Sequence, residues 1–145
     1  MLKLLTNKIV WVGLLISIIS VLANLLFFAL TQALGELYII PLTEIPLNSG
    51  PMPVFMVILA TFIPAILAAM LYSFLSKIAP NSTLPPFLSV AGTALLVSFG
   101  GPLDLPGAGM QTKLLLSAMH IIAAIIIVGG LLIFHSQKKK LLDGE

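Results

Sequence analysis

Four stretches of the chain carry no charged residue: 9–34, 53–76, 84–101 and 114–134. At 1.5 Å rise per residue they make helices of about 39, 36, 27 and 31 Å, against roughly 30 Å of hydrocarbon in a bilayer. All four qualify as membrane spans. The first is long enough to require tilt or protrusion. The second contains Pro64, and Pro85 and Pro86 shorten the useful part of the third, which is the marginal crossing. The first connection, 35–52, holds Pro41, Pro46, Gly50 and Pro51, which forbids a long helix there. Residues 77–84 are short and polar, as a helical hairpin needs, and 100–111 are rich in Gly and Pro. Pro41-Leu42-Thr43-Glu44-Ile45-Pro46 and Pro102-Leu103-Asp104-Leu105-Pro106 form a faint parallel repeat in the two outer connections.

Within the spans, small and polar residues fall in stripes. Gly13, Ser17, Ser20, Asn24 and Thr31 lie within about 40° of one line at 100° per residue. Thr61, Ala65, Ala68 and Tyr72 share a face of the second helix. Ser89, Thr93 and Gly100 share one of the third, and Lys113, Ser117, His120 and Ala124 one of the fourth. Counted from the outer ends, Asn24 lies about 15 Å deep and Thr61, Thr93 and His120 about 12 Å. All four helices are thus expected to bring a hydrogen-bonding group to one level, with Asn24 and His120 as the leading pair. Pro64 adds to this layer, because it cannot donate to the carbonyl of Ala60 beside Thr61.

Composition fixes the solvent. Apolar residues make up 59% of 145 and charged residues 8%, with a mean hydropathy of +1.18. A soluble domain has about a quarter of its residues charged, and a chain of this size has too little interior to hide so much hydrocarbon. This excludes a soluble enzyme, a nucleic-acid-binding domain and a disordered tail. With no cysteine, disulfides, iron–sulfur clusters and thiolate chemistry are excluded as well. Charge then sets orientation. Lys3, Lys8, Lys77 and Lys138 to Lys140 fall on one side of four crossings and Lys113 on the other, which predicts both termini in the cytoplasm. The outer side carries Glu36, Glu44 and Asp104. Lys3 and Lys8 before an apolar run with Val21-Leu22-Ala23 have the look of a signal peptide, but the run continues to Leu34, longer than such a segment allows.

Asn24, Thr61, Thr93 and His120 are the candidate site residues. Read as packing, they are the hydrogen-bonded glue that fixes a bundle's register. Read as a site, they line a small cavity open to the outer side, with neutral His120 as proton acceptor or ligand anchor. His135, the other histidine, is about 22 Å along the same helix, so one chain cannot supply a bis-histidine haem. Three clustered zinc ligands are lacking and no acid shares the depth of His120, so no cofactor or metal is expected and no catalytic residue is assigned. A proton-coupled multidrug exporter of the four-helix type would need a carboxylate within the membrane, and all five acids lie outside the spans.

Met119-His120, followed by Ile121-Ile122-Ala123-Ala124 and by Gly129 before a basic tail, resembles a signature of a family of small four-helix bacterial integral membrane proteins. Ala23-Asn24, the Pro-rich outer connection and Gly101-Pro102-Leu103 before the last helix are similar as well. The resemblance implies the topology and singles out His120; the family has no assigned activity. The expectation is therefore an all-α, single-domain bundle of four transmembrane helices. Its first functional reading is a non-enzymatic accessory or structural subunit, embedded in lipid and associating with itself or with other membrane subunits. The alternatives are a protein that binds or translocates a small apolar or weakly polar ligand around His120, and an intramembrane enzyme, which would need His120 to meet Glu36 or Asp104.

Overall fold

The computed structural model describes residues 2–41 and 49–143, with side-chain surroundings for 8–40 and 49–140; Glu44 and most of the first copy of the repeat lie outside the described residues. The elements are α1 (Leu2–Ala33), β1 (Ile39–Pro41), β2 (Ser49–Pro51), α2 (Val54–Ile78), α3 (Leu84–Ser98), α4 (Gly100–Leu103) and α5 (Met110–Asp143). Four helical segments are long and apolar enough to cross a membrane: Lys8–Ala33, Val54–Ile78, Leu84–Leu103 and Met110–Lys140. The marginal third stretch gains length because α4 continues α3, giving 20 residues, or about 30 Å. At 32 and 34 residues, α1 and α5 are longer than the hydrocarbon is thick, so their lysine-bearing ends run past it.

The all-α expectation needs one amendment. The Pro-rich first connection closes as a short antiparallel pair, Ile39 opposite Pro51, Ile40 opposite Gly50 and Pro41 opposite Ser49, and the Met52 amide donates to the Tyr38 carbonyl at 3.0 Å. Its entrance is a Schellman turn. Gly35 takes φ +101°, and the amides of Gly35 and Glu36 donate to the carbonyls of Gln32 and Thr31, a geometry a side chain at that position would resist.

Three helices pack closely. The α1 stripe is buried through Gly13, Ser17, Ser20 and Asn24, and α2 buries Val57, Thr61, Ala65, Ala69 and Tyr72. Backbones approach where side chains are smallest. A Cβ on Gly13 would sit 2.6 Å from that of Ala69, and one on Gly130 of α5 2.8 Å from the Ile16 side chain. Two apolar clusters result. One, around Ile9, Ile16, Ala65, Tyr72, Phe87, Ile127 and Leu131, lies at the end where α1 begins and α2 and α5 finish. The other, around Phe28, Tyr38, Ile40, Met52, Val57 and Met119, lies at the opposite end.

The third span behaves differently. Phe87 is fully buried and meets Tyr72 edge-on at 5.6 Å, and Pro102 of α4 is buried at the far end. Between them no residue of α3 is buried. Lys113 Nζ of α5 donates to the Leu103 carbonyl at 2.9 Å and ties down that far end. The third span is an arch fastened at both feet.

Because Gly13 faces Ala69 without space for another methyl, Gly13→Val is expected to lower stability by about 1–3 kcal/mol. Gly92→Ala on the arch, where an added Cβ meets nothing within 4 Å, leaves it unchanged. Thermal unfolding in mild detergent distinguishes the two.

Candidate functional site

Asn24 occupies the contact of α1, α2 and α5. Its Nδ2 donates both protons, to Thr61 Oγ1 at 2.9 Å and to the Met119 carbonyl at 3.2 Å. A carbonyl can only accept, which fixes the amide orientation. Asn24 Oδ1 is buried and has no hydrogen-bond partner among the described residues. The expected level of polar groups therefore exists across these three helices, but two of its members are placed otherwise than the stripes imply.

Asn24 and His120 are not hydrogen-bonded to each other. The Asn24 amide holds the main chain of Met119, and the next residue of a helix points about 100° further round. His120 is thereby turned toward α3. Its Nδ1 donates to the Leu116 carbonyl one turn back at 2.8 Å, and its ring lies 6.5 Å from that of Phe99. Thr93 is the larger correction. It is exposed on the outer face of α3, as is Ser89, whose hydroxyl donates to the Pro85 carbonyl at 3.0 Å. The face that α3 presents inward is Ala91, Ala94, Leu95 and Ser98. With lipid on one side and a cavity on the other, packing does not force the hydroxylated stripe inward, and each such hydroxyl can bond its own helix.

Under the arch lies a cavity of about 520 Å³, bounded by α2, α3, α4 and α5 and reached by Asn24 from α1. Ile40 of β1, Met52 just after β2, and Leu105 line it at the end where α1 finishes and α5 begins. Ala60 and Pro64 of α2 and Ala94 of α3 line it and are themselves exposed, so it opens sideways between these two helices. The walls are almost wholly aliphatic; Asn24, Thr61, Ser98 and His120 supply the polar side chains. Two prolines on the lining each remove a backbone donor. Pro64 leaves the Ala60 carbonyl, and Pro102 the Ser98 carbonyl, without the helical amide it would otherwise accept from.

Glu36 does other work. Glu36 Oε1 accepts from Thr112 Oγ1 at 2.6 Å and from the Tyr38 amide at 3.2 Å, fastening the first connection to the start of α5. Tyr38 is fully buried at φ 48°, with its hydroxyl 2.6 Å from Thr31 Oγ1 and its ring 4.7 Å from Phe28. Burial pushes its phenol above the ordinary value; the Thr31 bond opposes this and the Glu36 charge adds to it. No Asp or Glu is among the residues described around the cavity, so His120 has no acid partner there. At the opposite end, the Tyr72 hydroxyl lies 2.9 Å from His135 Nδ1. Tyr72 lies on the face it shares with Thr61, Ala65 and Ala68, but no local pattern joins two residues 63 apart. The inward face of α3 was missed for a similar reason, since only the alternation of Ala91, Ala94 and Ser98 with bulkier neighbours marks it.

Four helices long and apolar enough to cross a membrane, around an aliphatic cavity with one histidine on its wall, make this a multi-pass membrane protein by its fold. The chain belongs to DUF6069, a family of unknown function, which it matches over residues 6–136. Neither a curated protein nor a solved structure matches it.

Asn24→Leu and Thr61→Val are each expected to cost about 0.6–2 kcal/mol, and the double variant less than their sum, because they share a bond. Thr93→Val should change stability by no more than about 0.5 kcal/mol. A thermal-melt cycle on these variants in detergent reads all of it.

Proposed function

We propose that this protein binds, and passes between bilayer and outer side, a small apolar or weakly polar molecule. The cavity beneath α3 is the observation that carries the reading. Its volume of about 520 Å³ falls within the roughly 300–1,000 Å³ of small-molecule sites, and its wall pairs many aliphatic groups with a few polar ones. A packed interior leaves few voids larger than a water molecule, so a space of this size between helices is unusual unless something uses it. The sideways opening suits a molecule dissolved in the acyl chains. Saturable binding of an apolar fluorescent probe to the purified protein is expected, and Ala94→Phe, which fills the arch from within, should abolish it while leaving the melting temperature nearly unchanged. Undiminished binding to that variant would sink the reading.

A second reading, an accessory subunit that associates with itself or with a larger complex, is favoured by the outer face of α3. Ser89, Gly92 and Thr93 form a small, hydroxylated surface there, of the kind that lets membrane helices approach. In either case we place the protein in a bacterial inner membrane. The ends bearing Lys8, Lys77 and Lys138 to Lys140 face the cytoplasm, by the excess of lysine at that end over the lone Lys113. The chain has no cysteine, so single-cysteine variants test both points. Gln137→Cys should react only from the cytoplasmic side of inverted vesicles, and Thr93→Cys should form a disulfide-linked dimer if α3 meets a second copy.

A further inference from the structure

The hydrogen-bonding groups around the cavity are unequal in kind, and the inequality names a ligand chemistry. Both Nδ2 protons of Asn24 are committed to Thr61 and Met119, the Ser98 hydroxyl donates to the Leu95 carbonyl at 2.7 Å, and the His120 Nδ1 proton goes to Leu116. Among the described lining residues the Thr61 hydroxyl is the one side-chain donor not already used. Acceptors are in excess. With Nδ1 carrying the proton, Nε2 of a neutral His120 holds a lone pair at the far edge of the ring. Pro64 and Pro102 leave the Ala60 and Ser98 carbonyls short of a helical donor.

The geometry points to an apolar ligand bearing a hydroxyl donor, an alcohol or a phenol, whose O–H donates to His120 Nε2 while its hydrocarbon fills the space beneath α3. This deepens the binding reading above and rests on it. In hydrocarbon no water competes for the bond, so an acceptor-only ligand such as an ether or ketone leaves Nε2 unsatisfied, whereas a hydroxyl satisfies it. His120 is here a ligand-binding residue, and no bond is made or broken.

The test compares 4-pentylphenol with 4-pentylanisole, its methyl ether, on the full chain in phosphatidylcholine nanodiscs. Saturation binding is read together with the nitrogen-15 shifts of the two histidines. The phenol is expected to bind about 3- to 10-fold more tightly, and the His120 Nε2 resonance alone to move as its lone pair accepts the phenol's hydrogen bond. In His120→Leu the phenol should lose that advantage while the ether binds as before. Equal or tighter binding of the ether to the wild-type chain, with Nε2 unmoved, overturns the hydroxyl inference and leaves the cavity a ligand site. Absence of saturable binding by either compound removes the binding reading and this inference with it. The wild-type comparison decides the matter even if His120→Leu does not fold.

Discussion

A single side-chain amide organises this bundle. Hydrocarbon offers no partner to a carboxamide, so Asn24 must find its bonds inside the protein, and it finds them on both neighbours of α1 at once. One bond reaches a side chain of α2 and the other the main chain of α5, which together fix the depth and rotation of both helices relative to α1. The close contacts at Gly13 and Gly130 then follow, since they set how near those helices come on the far side of the clamp. The rotation of α5 has a further consequence. With the Met119 carbonyl held by Asn24, the neighbouring imidazole is turned about 100° further round, toward α3.

That stand-off is a balance of fastenings. Phe87 packs into the cluster formed by Tyr72 and its neighbours, and Pro102 and the Lys113–Leu103 bond hold the other foot. Between these points α3 turns the small side chains of Ala91 and Ala94 toward the cavity, and no residue there is buried. Lipid rewards neither closure nor opening strongly, because acyl chains are as apolar as the residues they would replace. In water, by contrast, the same exposed Leu96 and Val97 would drive collapse. The cavity persists because the solvent outside resembles its wall.

The end where α1 finishes and α5 begins is closed by polar chemistry at the edge of the bundle. Gly35 ends α1 sharply, Glu36 ties the connection to Thr112, and Tyr38 folds back onto Thr31 and Phe28. A tyrosine at positive φ costs on the order of 1–2 kcal/mol, offset here by full burial and a ring contact. Ile40 and Met52 are thereby held over the cavity, leaving the gap between α2 and α3 as its opening.

Much of this was legible in one dimension. The four charge-free stretches, the buried stripes of α1 and α2, and the shared depth of Asn24 and Thr61 all follow from local rules, because span length and helical periodicity do not depend on partners. Pro64 and the Pro-rich connection announced themselves in the same way. What tertiary structure decided was rotation and distance. Thr93 turned outward and Asn24 bonded a carbonyl instead of the imidazole, since a helix can satisfy hydroxyls on itself and one anchored neighbour resets the facing of every residue after it. The pairings of Glu36 with Thr112 and Tyr72 with His135, and the arch with its cavity, come from how separate helices are fastened, a property of contacts between distant segments that no single stretch of sequence contains.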